Sequence, residues 1–141
     1  MQSYFLALLA EAYGKGGQAE EGLHVLAEAL AHVDKTGERY YEAELYRLKG
    51  ELTLQQLKVQ GSKFKVEEEV EECFLKAIEI ARWQQAKSLE LRAVMSLARL
   101  WQQQGKKDEA RQMLAEVYGW FTEGFDTADL QEAKALLEEL T

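Results

Sequence analysis

The chain has 141 residues, of which 47% are hydrophobic and 30% charged, and 25 acidic against 17 basic side chains give a net charge of −8. That length suits one domain with a real core, and the acidic balance argues against nucleic acid or an anionic membrane as principal partner, because neither attracts a net anion. A single cysteine, Cys73, excludes a disulfide framework, and no apolar run approaches membrane-spanning length, so a reducing cytoplasm is the expected setting.

Proline is absent and Ala, Leu, Glu, Gln and Lys are abundant, a composition that favours nearly continuous helix. The opening MQSYFLALLAEAY enters helical periodicity at once, and so abrupt a start is expected of a piece of a longer protein. Leu6, Leu9, Ala10 and Tyr13 fall on one face of a first helix. Gly14-Lys15-Gly16-Gly17 ends it, since glycines are costly inside a helix and cheap in a turn. Leu23, Leu26, Ala27, Leu30 and Val33 mark a second helix, with Gly37 placed for a left-handed C-cap.

Tyr41, Leu45, Leu48 and Leu52 carry a third helix to about Leu57, and a fourth runs from about Val66 to Trp83 with Val70, Phe74, Ala77, Ile78 and Ala81 inward. Glu67, Glu68, Glu69, Glu71 and Glu72 read as the solvated outer face of that fourth helix, favoured by its dipole. A fifth helix covers about Lys87 to Gln104 with Val94, Leu97, Ala98 and Trp101 on its stripe, and a sixth about Lys107 to Tyr118 with Ala110, Leu114 and Val117 inward. Trp120, Phe121 and Phe125 then sit in a helix-poor connector, where they either close the end of the core or form an exposed docking patch; closure is the expected role. Asp126 or Thr127 can cap a last helix striped by Leu130, Ala133, Leu137 and Leu140. No segment alternates with period two for long enough to be a strand, so the chain is all-α.

Aligning Gly17 with Gly105 superposes two hairpins. Leu9-Ala10 meets Leu97-Ala98, Tyr13 meets Trp101, Gly22 meets Ala110, and Leu26 meets Leu114. This spacing of small and large positions resembles the tetratricopeptide repeat. The central hairpin follows it with Tyr46, Gly50, Phe74 and Ala77, but inserts about eight residues around Lys58 to Lys65, and no repeat carries a closing proline. The phrases GERYYEAELYRLKGEL, CFLKAIEIARWQQAKSLELRAVMSLARLW and YGWFTEGFDTADLQEAKALLEEL are similar to the C-terminal arrays of bacterial signalling proteins. Those proteins join a class III nucleotide cyclase or a LuxR-type DNA-binding module to an ATPase of the STAND type. The resemblance implies one domain over residues 1–141: a TPR-like right-handed superhelix with hairpins at about 3–36, 39–84 and 87–118, and a capping helix at about 127–140.

Chemistry-bearing motifs are few. The glycine cluster at 14–17 is no phosphate loop, because a helix precedes it and no Ser or Thr follows its lysine. His24 and His32 lie eight residues apart, too far to chelate a metal without partners, and Cys73 reads as a small apolar side chain. No catalytic set is visible and no cofactor or metal is implied. A repeat superhelix would present a concave groove lined by Tyr4, Glu11, Arg47, Glu51, Arg92 and Arg99. Arg47, Arg92 and Arg99 could form a cationic strip for a carboxylate-bearing partner, or simply pair with Glu44, Glu51 and Glu90; pairing is the expected state. The function expected is a non-enzymatic interaction or regulatory module taking a protein or peptide partner, or other domains of the parent chain. The alternative is self-association to a homodimer through the unpaired end helix, with Phe5 and Leu8 available.

Overall fold

The structure is a computed structural model that describes residues 2–37, 39, 41–60 and 64–141, with side chains described over 6–35, 37, 39, 41–57 and 67–141. These residues form seven α-helices and no strand: α1 Gln2–Lys15, α2 Ala19–Thr36, α3 Glu42–Gln60, α4 Phe64–Trp83, α5 Lys87–Gln103, α6 Lys107–Tyr118 and α7 Ala128–Leu140. Most of the inserted residues of the central hairpin lengthen its helices instead of forming a loop, so α3 and α4 run to 19 and 20 residues against 12 for α6.

Each helix packs against the next, and α1–α3, α3–α5 and α5–α7 also meet. Among the described residues α2, α4 and α6 touch only their chain neighbours. The odd helices therefore form a self-contacting row, and the even helices are splayed outside it. α7 takes the place a fourth hairpin's first helix would occupy.

Three of the connections share one hydrogen-bond pattern. Gln18 N–H donates to Tyr13 O, Ala86 N–H to Ala81 O and Lys106 N–H to Trp101 O, each at 2.8 Å, and inside these rings Gly17, Gln85 and Gly105 donate to Gly14, Arg82 and Gln102 at 3.1, 3.1 and 3.2 Å. This nested pair is the Schellman closure, which satisfies a helix's last carbonyls and needs one left-handed residue. Gly17 and Gly105 supply it with φ of 77° and 81°, and Gln85 does so with φ of 57°. Gly37 closes α2 with φ of 73° and its N–H on Val33 O, as its spacing predicts, while Thr127 caps α7 by accepting from Leu130 N–H at 3.4 Å.

The core follows the small-and-large pattern. Ala10, Ala98, Leu97, Ala110, Leu26 and Leu114 are essentially buried. α3 works on two sides: Leu45, Leu48 and Leu52 pack against α1 and α2, while Tyr46 and Leu54 lie against the cluster of α4 to α7. Gly50 lets the Phe74 ring of α4 lie directly against α3, since a Cβ built there would lie 2.5 Å from Phe74 Cε1. Some positions differ from the periodic reading. On α2 Ala29 is buried and Ala27 exposed, and on α7 Leu136 takes the fully buried place with Leu137 half-buried. Only Phe121 of the connector packs on the core; Trp120 is 58% and Phe125 45% exposed. α7 docks with its aliphatic stripe on α5 and α6, and those two rings stay on the outside.

Candidate functional site

The inner row builds a groove of about 630 Å³ whose walls come from α1, α3, α5 and α7. Glu11, Arg47, Glu51, Arg92 and Arg99 all line it, together with Lys15, Asp129 and Glu132. Five of the six residues expected in a concave groove are thus brought together; the side chain of the sixth, Tyr4, lies outside the described residues.

The groove floor is set by α3. Glu44 in its first turn is buried, and Arg47 one turn later donates from Nε to both carboxylate oxygens at 3.1 and 3.2 Å and again from Nη2. Arg47 Nη1 reaches Ser96 Oγ of α5 at 3.5 Å, and Nη2 stands 3.9 Å from Glu11 of α1. Burial works against the charge on Arg47, but the hydrogen bonds and field of Glu44, with Glu51 and Glu11 behind it, outweigh that and hold its pKa above the ordinary value.

Arg92 extends the pattern. Its Nη1 is 3.7 Å from Glu44, and its Nε donates to Asp129 Oδ2 of α7 at 2.9 Å. Partial burial lowers its pKa and Arg47 repels it, yet the Asp129 bond and the Glu44 charge leave it raised. Two turns along α5, Arg99 Nη2 donates to Glu132 Oε2 at 3.3 Å. Glu11, Arg47, Glu44, Arg92 and Asp129 make one line of alternating charge across all four inner helices.

The arginines are therefore paired, but not with all the partners their neighbourhood in the chain suggests. Glu44 is the shared partner of two of them. Glu51 lines the groove and acts on Arg47 only through its field. Glu90 does not serve the groove: it is buried where α4 turns into α5 and accepts from Arg82 Nε at 2.9 Å and Lys87 Nζ at 3.0 Å. Burial pushes the Glu90 carboxyl up, and these two donors reverse the shift and set it below the usual range. Asp129 and Glu132 were not visible as groove residues in the sequence. The signal that finds them is the repeat register: once α7 is given the place of a first helix, the polar positions flanking Leu130 and Ala133 face α5.

Other candidates are placed as follows. Trp101 bridges helices, donating from Nε1 to Glu71 Oε1 at 2.6 Å, so Glu71 is tied to α5 and not merely solvated as the acidic face of α4 would suggest. Cys73 is half-buried in a recess of about 360 Å³ between α3 and α4, where burial raises its pKa, Lys49 opposes, and Glu69 and Glu72 add to the rise, so the thiol form is favoured. Among the described residues no group of His, Cys, Asp and Glu is placed to hold a metal ion, every buried side-chain nitrogen or oxygen has a hydrogen-bond partner, and no helix is long and apolar enough to cross a membrane. Such a groove offers fixed guanidinium donors to carboxylates, and pockets beside them, notably the small recess between Leu8, Leu48 and Leu89 next to Arg92.

No protein-family model matches the chain, and no curated protein matches it either.

Proposed function

We propose that this chain is a non-enzymatic interaction module whose inner groove holds an extended or helical segment of a protein partner, or of other domains of the same parent chain. The observation that carries this reading is the gathering of Glu11, Arg47, Glu51, Arg92 and Arg99 from three different helices into one continuous groove. Odd helices in self-contact and even helices splayed outside support a short tetratricopeptide-like array. On the resemblance of its phrases, the array serves as the C-terminal sensor or scaffold of a cytoplasmic, multidomain bacterial signalling protein of the cyclase or ATPase type.

The test is a selection of displayed dodecapeptides on the immobilised chain, followed by amide-shift mapping of the tightest binders on labelled protein. Shifts should concentrate on α1, α3 and α5, and Arg92→Glu/Arg99→Glu should weaken binding by about ten-fold or more. Binders mapping to α2, α4 and α6 would overturn the groove reading.

Self-association is the second reading. Leu8 on the terminal helix is 47% exposed at the groove's rim, an aliphatic side chain a second copy can cover. Light scattering at rising concentration decides it, and a strict monomer removes it.

A further inference from the structure

The hydrophobic interior is divided. One core packs Ala10, Leu26 and Val33 of the first hairpin against Leu48 and Leu52 of α3, and a separate, larger one is built around Phe74, Leu97 and Leu114 of α4 to α6 with α7 over it. α3 adds the partly buried Tyr46 and Leu54 to the second. Where α1, α3 and α5 meet, Arg47 bonds to Glu44, reaches Ser96 of α5 and stands near Glu11 of α1, and a recess of about 70 Å³ lies beside Leu8, Leu48 and Leu89. Among the described residues neither α1 nor α2 packs against any of α4 to α7, so α3 holds the hairpin. The hold centres on Leu52. A Cβ built at Gly14 would lie 2.5 Å from Leu52 Cδ2 and one at Gly22 2.7 Å from Leu52 Cδ1, so this side chain fills a notch that both glycines leave open. Gln55 Nε2 closes the same spot by donating to Gly14 O at 3.0 Å.

We infer that α1 and α2 form a jaw that opens and loses its structure as one unit while α3 to α7 stay folded. In a continuous array each hairpin's core merges into the next, and stability is shared along it. Here opening exposes the smaller core alone and leaves the larger untouched, which sets its cost below that of unfolding the whole chain. Once off α3, two helices with no third element against them do not hold their fold in water. The opened jaw takes Leu8, Glu11 and Lys15 with it, and these are the α1 wall of the groove. The groove is therefore complete in the closed state and not in the open one, and whatever is held against that wall keeps the jaw shut by mass action. Opening follows from the packing whether or not the groove takes a partner, so this inference and the groove reading fail separately.

Hydrogen exchange of the full chain, read by mass spectrometry on peptic peptides across a urea series below the unfolding midpoint, tests it. α1 and α2 should exchange together, faster than α5 to α7 and with a shallower dependence on urea, because opening exposes less surface than complete unfolding. Two substitutions separate the units. Leu114 lies in the second core, packed alike with the jaw open or shut, so Leu114→Ala should speed exchange in α5 to α7 by about 30-fold or more and leave α1 and α2 within about two-fold of the parent. If that variant does not fold, Val117→Ala makes the same comparison with a smaller acceleration. Leu52→Ala should speed α1 and α2 by about 30-fold or more, and no acceleration there counts against the jaw. One common rate and urea dependence for all the helices overturns the inference, as does equal acceleration of α1–α2 and α5–α7 in the Leu114→Ala chain. Exchange of α1 well ahead of α2, the fraying of a terminal helix, overturns it too.

Discussion

Gln85 is the residue whose replacement tests the turn chemistry most directly. It alone among the described non-glycine residues has a positive φ, at 57°, and it occupies the same place in its turn as Gly17 and Gly105 do in theirs. A side chain in the left-handed region costs about 1–2 kcal/mol, because Cβ crowds the neighbouring carbonyl. Glycine removes that cost but adds unfolded-state freedom worth roughly 0.5–1 kcal/mol. Gln85→Gly should therefore stabilise the chain by about 0.5–1 kcal/mol, read as a rise of about 2–4 °C in thermal midpoint for a domain of this size. The reciprocal change isolates the same term. A Cβ at Gly105 would meet nothing within 4 Å, so Gly105→Gln carries no steric conflict and should cost a similar amount through the backbone alone. Urea and thermal unfolding followed by circular dichroism measure both, and the pair of shifts should be opposite in sign. If Gln85→Gly lowers the midpoint, or Gly105→Gln leaves it unmoved, the equivalence of the turns is wrong.

Two further outcomes follow from the packing and the charges. Gly50→Ala should destabilise by about 1–2 kcal/mol despite alanine's better helix propensity, since its Cβ would fall 2.5 and 2.8 Å from two atoms of the Phe74 ring; Phe74→Leu in the same chain should recover part of the loss in urea melts, and full independence of the two changes would refute the contact. Glu90 has a folded-state pKa below its unfolded value, so its contribution is fully present above the unfolded carboxyl pKa of about 4.3 and is lost as pH falls through the lower folded one. Glu90→Gln should cost roughly 1–2 kcal/mol at pH 7, and the gap to the parent should close as unfolding midpoints are followed from pH 5 down to pH 3; a gap that widens on acidification contradicts the assignment.

How much of this was legible in the chain depends on the range of the cause. Helix faces and ends are local, and so Leu26, Ala98, Leu114, Gly37 and Thr127 announce their roles through spacing and residue type. Gln85 escaped because a polar non-glycine gives no sign of a left-handed turn, although its neighbours Gln84-Gln85-Ala86-Lys87 repeat the outline of Gln104-Gly105-Lys106-Lys107. The groove residues on α1, α3 and α5 could be placed from repeat register. Asp129 and Glu132 could not be placed that way while α7 was read only as a cap, since 37 and 33 residues separate them from the arginines they meet. Burial of Glu44 and Glu90 was equally hidden: each looks like an ordinary surface acid until its cationic neighbours are in place.

Among the described residues, the absence of contact between α2, α4 and α6 has a mechanical meaning. An arch whose outer ribs never touch bends by changing the gaps between them, with no side chains to unlock on that side. The resistance is concentrated on the inner row, where the line from Glu11 to Asp129 ties each helix to the next in addition to their apolar packing. A change in the separation of two inner helices would be carried by the hairpins to the ends of the array. Compliance of this kind lets the curvature of the row adjust without repacking its outer helices.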